Sequence, residues 1–130
     1  MAALRDAPTQ LDIILGALRR FPEREAFRQD DRAWRYREVG DLLARWAAAF
    51  KALGAGAGTG VGLLSPNRPE VWIGQIVPGL IGGRYTALYP LGSLDDHAYV
   101  LADSGATSLI IDPNPAFTEL AVGLLGKVPA

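Results

Sequence analysis

The chain has 130 residues, 49% of them hydrophobic, and a formal net charge of −1. That length and apolar content fit one ordinary folded domain and exclude a disordered tail, while the near-neutral charge supplies no basic field for nucleic acid. Cysteine is absent, which removes disulfides, thiolate metal sites and a cysteine nucleophile together and suits a reducing cytoplasm.

In chain order the first element is a helix from about Thr9 to Arg20. Leu11, Ile14, Leu15 and Leu18 recur at helical spacing, Thr9 can cap, and Arg19 and Arg20 suit the negative end of the dipole. Asp12 interrupts the apolar stretch and no small-residue cleavage pattern follows, so the start reads without a secretory leader. Pro22 ends the helix. EAFRQDDRAWRY (25–36) alternates apolar and polar residues about Asp30 and Asp31, which predicts a β-hairpin with a solvated charged face. In REVGDLLARWAAAFKALG (37–54), Val39, Leu42, Leu43, Trp46, Phe50 and Leu53 form one apolar stripe, and Arg37, Asp41 and Arg45 stand on another face. This spacing predicts a long amphipathic helix, with Gly54 placed where a left-handed residue ends it.

VGLLS (61–65) reads as a buried strand. SPNRPE then offers Asn67 as a cap and Pro69 at the first helical position, opening a helix through EVWIGQIVPGLIGG that is apolar on nearly every side. Such a helix is expected to be buried all round, or to face a lipid-like cavity or another subunit. It is shorter than the roughly 20 residues a membrane-crossing helix needs. Pro78 within it predicts a kink or split near residues 74–79. RYTALYP (84–90) reads as a second buried strand. SLDDHAYVLADSG opens with Ser93 and Asp96 in a near relative of the capping box, and Gly105 stops the helix. TSLIID (107–112) is a third strand and PAFTELAVGLLGKV a last helix. Strands alternating with helices imply parallel strands joined by right-handed crossovers: an α/β layer, mostly parallel, with helices on both faces after an N-terminal hairpin. Trp34, Trp46 and Trp72 are expected in the core or at an interface.

The search for chemistry begins with GAGAGTGVG (54–62), because glycine-rich turns can close their amides around phosphate. A dinucleotide loop needs G-x-G-x-x-G after a strand and before a helix, and here a helix comes first. From Gly54, Gly56 or Gly58, the position five residues on is Thr59, Val61 or Leu63, and no Gly-Lys-Ser/Thr occurs. The run therefore reads as a helix exit and turn. His97, the only histidine, lies beside Asp95 and Asp96; the reading that fits a helix N-terminus is two dipole-facing carboxylates and an exposed imidazole. Ser65 follows a strand, but Leu63 and Asn67 stand where a nucleophile elbow needs glycine. The residues offer no catalytic, cofactor-binding or metal-ligating set. Ligands of open α/β sheets gather at strand carboxyl ends, so SPN, LYPLGS and DPNP are the loops where binding is expected.

WRYREVGDLLARWAAAFKALG (34–54), GVGLLSPNRPEVWIGQIVPGLIGGRYTALYP (60–90) and DDHAYVLADSGATSLIID (95–112) follow one another in an order that resembles the N-terminal portion of adenylate-forming enzymes, in particular AMP-forming fatty acyl-CoA synthetases. Three positions depart from the family's habit: Arg35 stands for a small capping hydroxyl residue, Thr59 for an acidic residue, and Pro78 for an ordinary helix former. The resemblance implies a flavodoxin-like layer of a larger adenylating domain. On it, residues 1–130 form a partial N-terminal subdomain, with 1–36 as helix and hairpin and 37–130 as the α/β layer. It implies a two-step ligase in which ATP and a fatty acid give an acyl-adenylate and coenzyme A then displaces AMP, with ATP, Mg2+ and coenzyme A used by the longer enzyme. The phosphate loop, ribose carboxylate and catalytic lysine of that family have no counterpart in these residues. The chain alone is therefore expected to be an inactive, cytoplasmic scaffold whose partner is the remainder of the enzyme, with a possible acyl-pocket wall near residues 71–90. A stand-alone α/β binding or dimerisation module is the alternative, and uncovered sheet edges make self-association an expected property of either.

Overall fold

The computed structural model describes residues 8–128. Its elements are α1 (Gln10–Arg20), β1 (Glu25–Gln29), β2 (Arg32–Arg35), α2 (Tyr36–Ala52), β3 (Gly60–Leu64), α3 (Pro69–Leu80), β4 (Arg84–Ala87), α4 (Leu94–Ser104), β5 (Ala106–Ile111) and α5 (Pro115–Leu125). β1 and β2 form the expected antiparallel hairpin, and Asp30 takes the left-handed conformation at its turn with φ 52°. β3, β4 and β5 form a parallel sheet in the order β4-β3-β5.

Every residue of β3 is buried, because its two edges are paired and its two faces are covered. On one face Leu63 of β3 and Ile110 of β5 press on Gly74 of α3. Beyond them lies a core of Trp34, Val39, Leu43, Ile73, Ile76 and Val77, shared by the hairpin, α2 and α3 and flanked by Leu11, Ile14 and Leu18 of α1. On the other face Leu101 of α4 fills the space beside Gly62, within a second core of Leu64, Leu88, Leu101 and Leu124. Period-2 side-chain alternation along β3 thus serves two helical layers at once.

The helix ends follow local chemistry. α1 and α4 carry complete capping boxes, Thr9 with Asp12 and Ser93 with Asp96. At α2 the N-cap is Arg35, whose side chain cannot cap. Glu38 reaches back instead and accepts from the Arg35 amide at 2.7 Å, while the Arg35 guanidinium bonds Glu23. That exchange makes good the missing hydroxyl. Past α2, Gly54 lies at φ 87° as expected.

Five expectations need correction. The N-cap of α3 is Arg68, not Asn67, although Pro69 does take the first helical position. α3 runs unbroken through Pro78: the proline sits two residues before the helix ends, so few turns are left to disturb, and its own carbonyl accepts from Ile81 and Gly83 at 3.2 and 2.8 Å. Nor is α3 enclosed all round, since Gln75 and Gly79 are exposed. β4 is not a buried strand but an edge strand, with Arg84 and Ala87 exposed. The α2 stripe also loses Leu53, 84% exposed, because the helix stops before it.

The tightest backbone approach is at Gly60, where an added Cβ would stand 2.7 Å from the Gly105 carbonyl oxygen and 2.8 Å from Ala106 Cα. Gly16 in α1 has open space at the same point. Gly60→Ala is expected to cost about 1–3 kcal/mol in urea denaturation, as overpacking against backbone does. Gly16→Ala is expected to gain about 0.5–1 kcal/mol from helix propensity.

Candidate functional site

The chain passes from β3 through α3 to β4 on one side, and then α4 carries it back across β3 to β5 on the other. Strand order reverses there, and in open α/β sheets the crevice at such a reversal, outside the carboxyl ends, is where ligands bind. It lies here between the ends of β3 and β5. Its walls are Trp46, Leu63, Ser65, Arg68, Ile110 and Asp112, around a hollow of about 230 Å³. Two of the three loops expected to matter, SPN and DPNP, meet in it, while LYPLGS lies beyond β4.

The geometry follows from the ladder. Asp112 donates its amide to the Leu64 carbonyl at 3.0 Å, extending β5 by one residue and setting its carboxylate beside Ser65. Arg68, N-cap of α3, sends Nη1 to Asp112 Oδ2 at 2.8 Å; the Asn114 amide donates to Asp112 Oδ1 at 2.9 Å. Ser65 Oγ lies 3.4 Å from Asp112 Oδ2 and 3.0 Å from the Pro66 carbonyl, to which it donates. Glu70 Oε2 stands 3.7 Å from Arg68 Nε. The Arg68 guanidinium, with the Asn114 amide, holds the buried Asp112 carboxyl below the usual carboxylate range. The crevice is therefore closed by a clamp within the chain. Ser65 Oγ directs its proton to the Pro66 carbonyl, the Asp112 carboxylate beside it being held by Arg68, and no group of three or more His, Cys, Asp or Glu residues able to hold a metal occurs among the described residues.

The amides of the glycine run are engaged. Gly56 donates to Thr59 Oγ1 at 2.9 Å, Gly58 to the Gly82 carbonyl at 3.0 Å, and Thr59 to the Gly56 carbonyl at 3.0 Å. Thr59 thus accepts a hydrogen bond that fastens the turn, and these donors are spent on the chain itself. The hollow beside α3, about 380 Å³, opens along its first two turns, between Phe27, Arg28, Val71, Trp72 and Gln75, while Ile73, Ile76 and Val77 are consumed by the core.

His97 corrects an expectation. It is only 2% exposed, its ring packs on Gly92, and Nε2 has no hydrogen-bond partner. Leu94, His97, Ala98 and Leu101 stand at spacings of three, four and seven, so position 97 belongs to the inner stripe of α4. The acidic neighbours are engaged elsewhere, Asp96 in the cap with Ser93 and Asp95 with Lys127.

Residues 16–127 match the AMP-binding enzyme family. The medium/long-chain-fatty-acid–CoA ligase of Mycobacterium tuberculosis is 48% identical over 116 residues, covering 89% of this chain and 20% of the ligase. A feruloyl-CoA synthase of an Amycolatopsis species is 38% identical over 113 residues, covering 84% of this chain and 23% of the synthase. The chain thus spans about a fifth of the length of these curated relatives. Among solved structures, an anthranilate–CoA ligase in complex with anthranoyl-AMP superposes with a TM-score of 0.86 at 25% identity, over 96% of this chain and 24% of that one.

Two outcomes are expected. Asp112 contributes stability through a carboxyl that is harder to protonate folded than unfolded, so the contribution is complete above the ordinary value of 3.8 and fades as pH falls below it. Asp112→Asn should unfold at lower urea than the native chain near neutrality, and the gap should narrow below that pH. His97→Leu should leave stability unchanged or raise it by about 1 kcal/mol, because it deletes a buried unpaired nitrogen while keeping an apolar filling. A large loss on thermal unfolding would mean that Nε2 holds a partner.

Proposed function

This chain belongs to the AMP-binding enzyme family, and from that premise we propose that it is the leading part of a fatty-acid–CoA ligase, serving as scaffold and supplying no reacting group. The observation that carries the reading is the 48% identity along 89% of the chain to a ligase of medium and long fatty acids, against 38% to a feruloyl-CoA synthase. In the reaction, a fatty-acid carboxylate attacks the α-phosphorus of ATP and expels pyrophosphate, and the thiol of coenzyme A then displaces AMP from the acyl-adenylate.

The residues present do not fit ATP or Mg2+. The amides of Gly56, Gly58 and Thr59 are spent on the chain itself, the two crevice carboxylates, Asp112 and Glu70, both stand beside Arg68, and the described residues hold no cluster of metal ligands. No step is assigned to this chain. Residues 1–130 are a partial subdomain, the hairpin and α1 buttressing α2 and α3 while the parallel sheet carries the layer. ATP, Mg2+ and coenzyme A are expected on other segments of the longer enzyme. An acyl-pocket wall within 71–90 is confined on this reading to the first two turns of α3, where Val71, Trp72 and Gln75 border an open hollow.

The test is exchange of pyrophosphate into ATP, driven by a fatty acid. The isolated chain should give no exchange above blank. Grafted in place of the matching fifth of the Mycobacterium tuberculosis ligase, it should support exchange within about tenfold of that enzyme, and the same graft on the feruloyl-CoA synthase should do worse by about tenfold or more. Exchange by the isolated chain would end the scaffold reading; equal function in both grafts would end the assignment to fatty acids.

A further inference from the structure

Two of the three loops at the strand ends meet in the crevice; the third, after β4, rests on a histidine. Tyr89, Pro90, Leu91 and Gly92 form a turn in which the Gly92 amide donates to the Tyr89 carbonyl at 2.9 Å. Its outer side chains, Tyr89 and Leu91, are 69% and 82% exposed. Its inner side lies on His97 of α4: a Cβ on Gly92 would stand 2.7 Å from the ring's Cε1 and 3.3 Å from Nδ1. Only a residue without a side chain leaves room for the ring there.

The ring is buried, and Nε2 has no hydrogen-bond partner among the described residues. A neutral imidazole suits that seat with its one proton on Nδ1 and Nε2 bare. A second proton creates at Nε2 a buried N–H with nothing to accept it, and takes a charge out of water as well. The carboxylates nearby stand outside the seat. Asp96, close enough to feel the imidazole's charge, is exposed and bound by Ser93; Asp95 is exposed and bound by Lys127. The turn itself brings only the exposed Tyr89 phenol. Among the elements around α4, β3 and β5 carry no charged residue and α5 carries only the exposed Glu119. β4 has Arg84 at its far, amino end and Tyr85, whose phenol is pushed above its ordinary value by burial.

We propose that His97 is a proton-operated latch: the neutral ring seats the 89–92 turn against α4, and uptake of one proton from solvent drives the ring from its seat and frees the turn with Tyr89 and Leu91. The open form holds one proton more than the closed form. The turn is therefore closed at high pH and opens as pH falls through the range, about pH 5 to 8, in which histidine changes charge. His97 is the only histidine of the chain and cysteine is absent, so a side-chain transition in that window belongs to it. Asp112, whose contribution fades only below 3.8, acts in a separate range. Because the turn follows the carboxyl end of a strand, where ligands of such sheets gather, the latch sets what the chain presents there.

The experiment is a titration of the isotope-labelled chain followed by NMR from about pH 8 to 5, which reads the single imidazole and the turn in one sample. The imidazole signal and the amide signals of Leu91 and Gly92 should move with a common midpoint, the closed population falling about tenfold per pH unit beyond it, while the amides of Val61 and Leu64 in β3 hold still. In His97→Leu the turn signals should not respond over this range. Gly92→Ala, which crowds the ring's seat, should move the midpoint toward neutral pH. An imidazole that takes its proton while the Leu91 and Gly92 signals hold would overturn the latch, as would one that stays neutral with the turn closed down to about pH 5. Turn signals that respond alike in His97→Leu would assign the change to another group, and loss of the β3 signals at the same midpoint would replace the local latch by unfolding of the whole chain; either overturns the proposal. The titration of the native chain decides the matter if a variant does not fold.

Discussion

The enclosure of β3 governs this structure. A strand buried along its whole length, with β4 and β5 on its edges and a helical layer on each face, leaves polar backbone no outlet except at its two ends. At the amino end the chain must squeeze past Gly105 and Ala106, which only a residue without Cβ allows, and so Gly60 stands there. At the carboxyl end Leu64 still finds a donor because Asp112 prolongs β5 by one amide. That same bond drags a carboxylate into the interior. A buried carboxylate needs partners, and Arg68, the Asn114 amide and Ser65 stand around it. The clamp over the crevice is thus a consequence of burying β3 between two layers.

The remaining charges are used in a similar way. Asp12 and Asp96 are held below the usual carboxylate range by hydrogen bonds from Thr9 and Ser93, Glu38 accepts from the Arg35 amide, and Glu23 spans Arg35 and Arg37. These carboxylates fix helix starts and the hairpin's junction with α2. A general acid or base needs a proton that can move within reach of a substrate, and groups committed to caps are poor candidates. Arg68 and Asp112 are likewise committed to each other across the crevice, so its charges hold the fold together there.

Most of this was legible in the sequence because the signals were local. Helix starts at Thr9 and Ser93, the turn at Asp30 and Asp31, the exit at Gly54 and the alternation of strands and helices each depend on a few neighbouring residues, and each is present. The failures share a different cause. The acidic neighbours of His97 point to an exposed imidazole, whereas its place in the stripe of Leu94 and Leu101 buries it against Gly92. β4 was read as buried because YTALY is apolar, but whether a strand is central or at an edge is decided by the order of pairing, which hydropathy does not encode. The Arg68–Asp112 pair joins positions 44 residues apart, a separation no spacing rule reaches. Pro78 misled for a narrower reason: a proline is disruptive in mid-helix, and its cost depends on how much helix follows it.

The two ends of the sheet are fastened by different side chains. Arg84, at the start of β4, bonds the Gly58 and Ser104 carbonyls and so ties together the amino ends of all three strands. Along β5 the flanking side chains are apolar. The reversal crevice lies between β3 and β5 at the opposite, carboxyl end, where the Arg68–Asp112 clamp bounds it. The register of β3 is fixed on both sides, Leu63 against Ala87 and Leu64 against Ile111, so the clamp keeps one place at the carboxyl ends of the sheet.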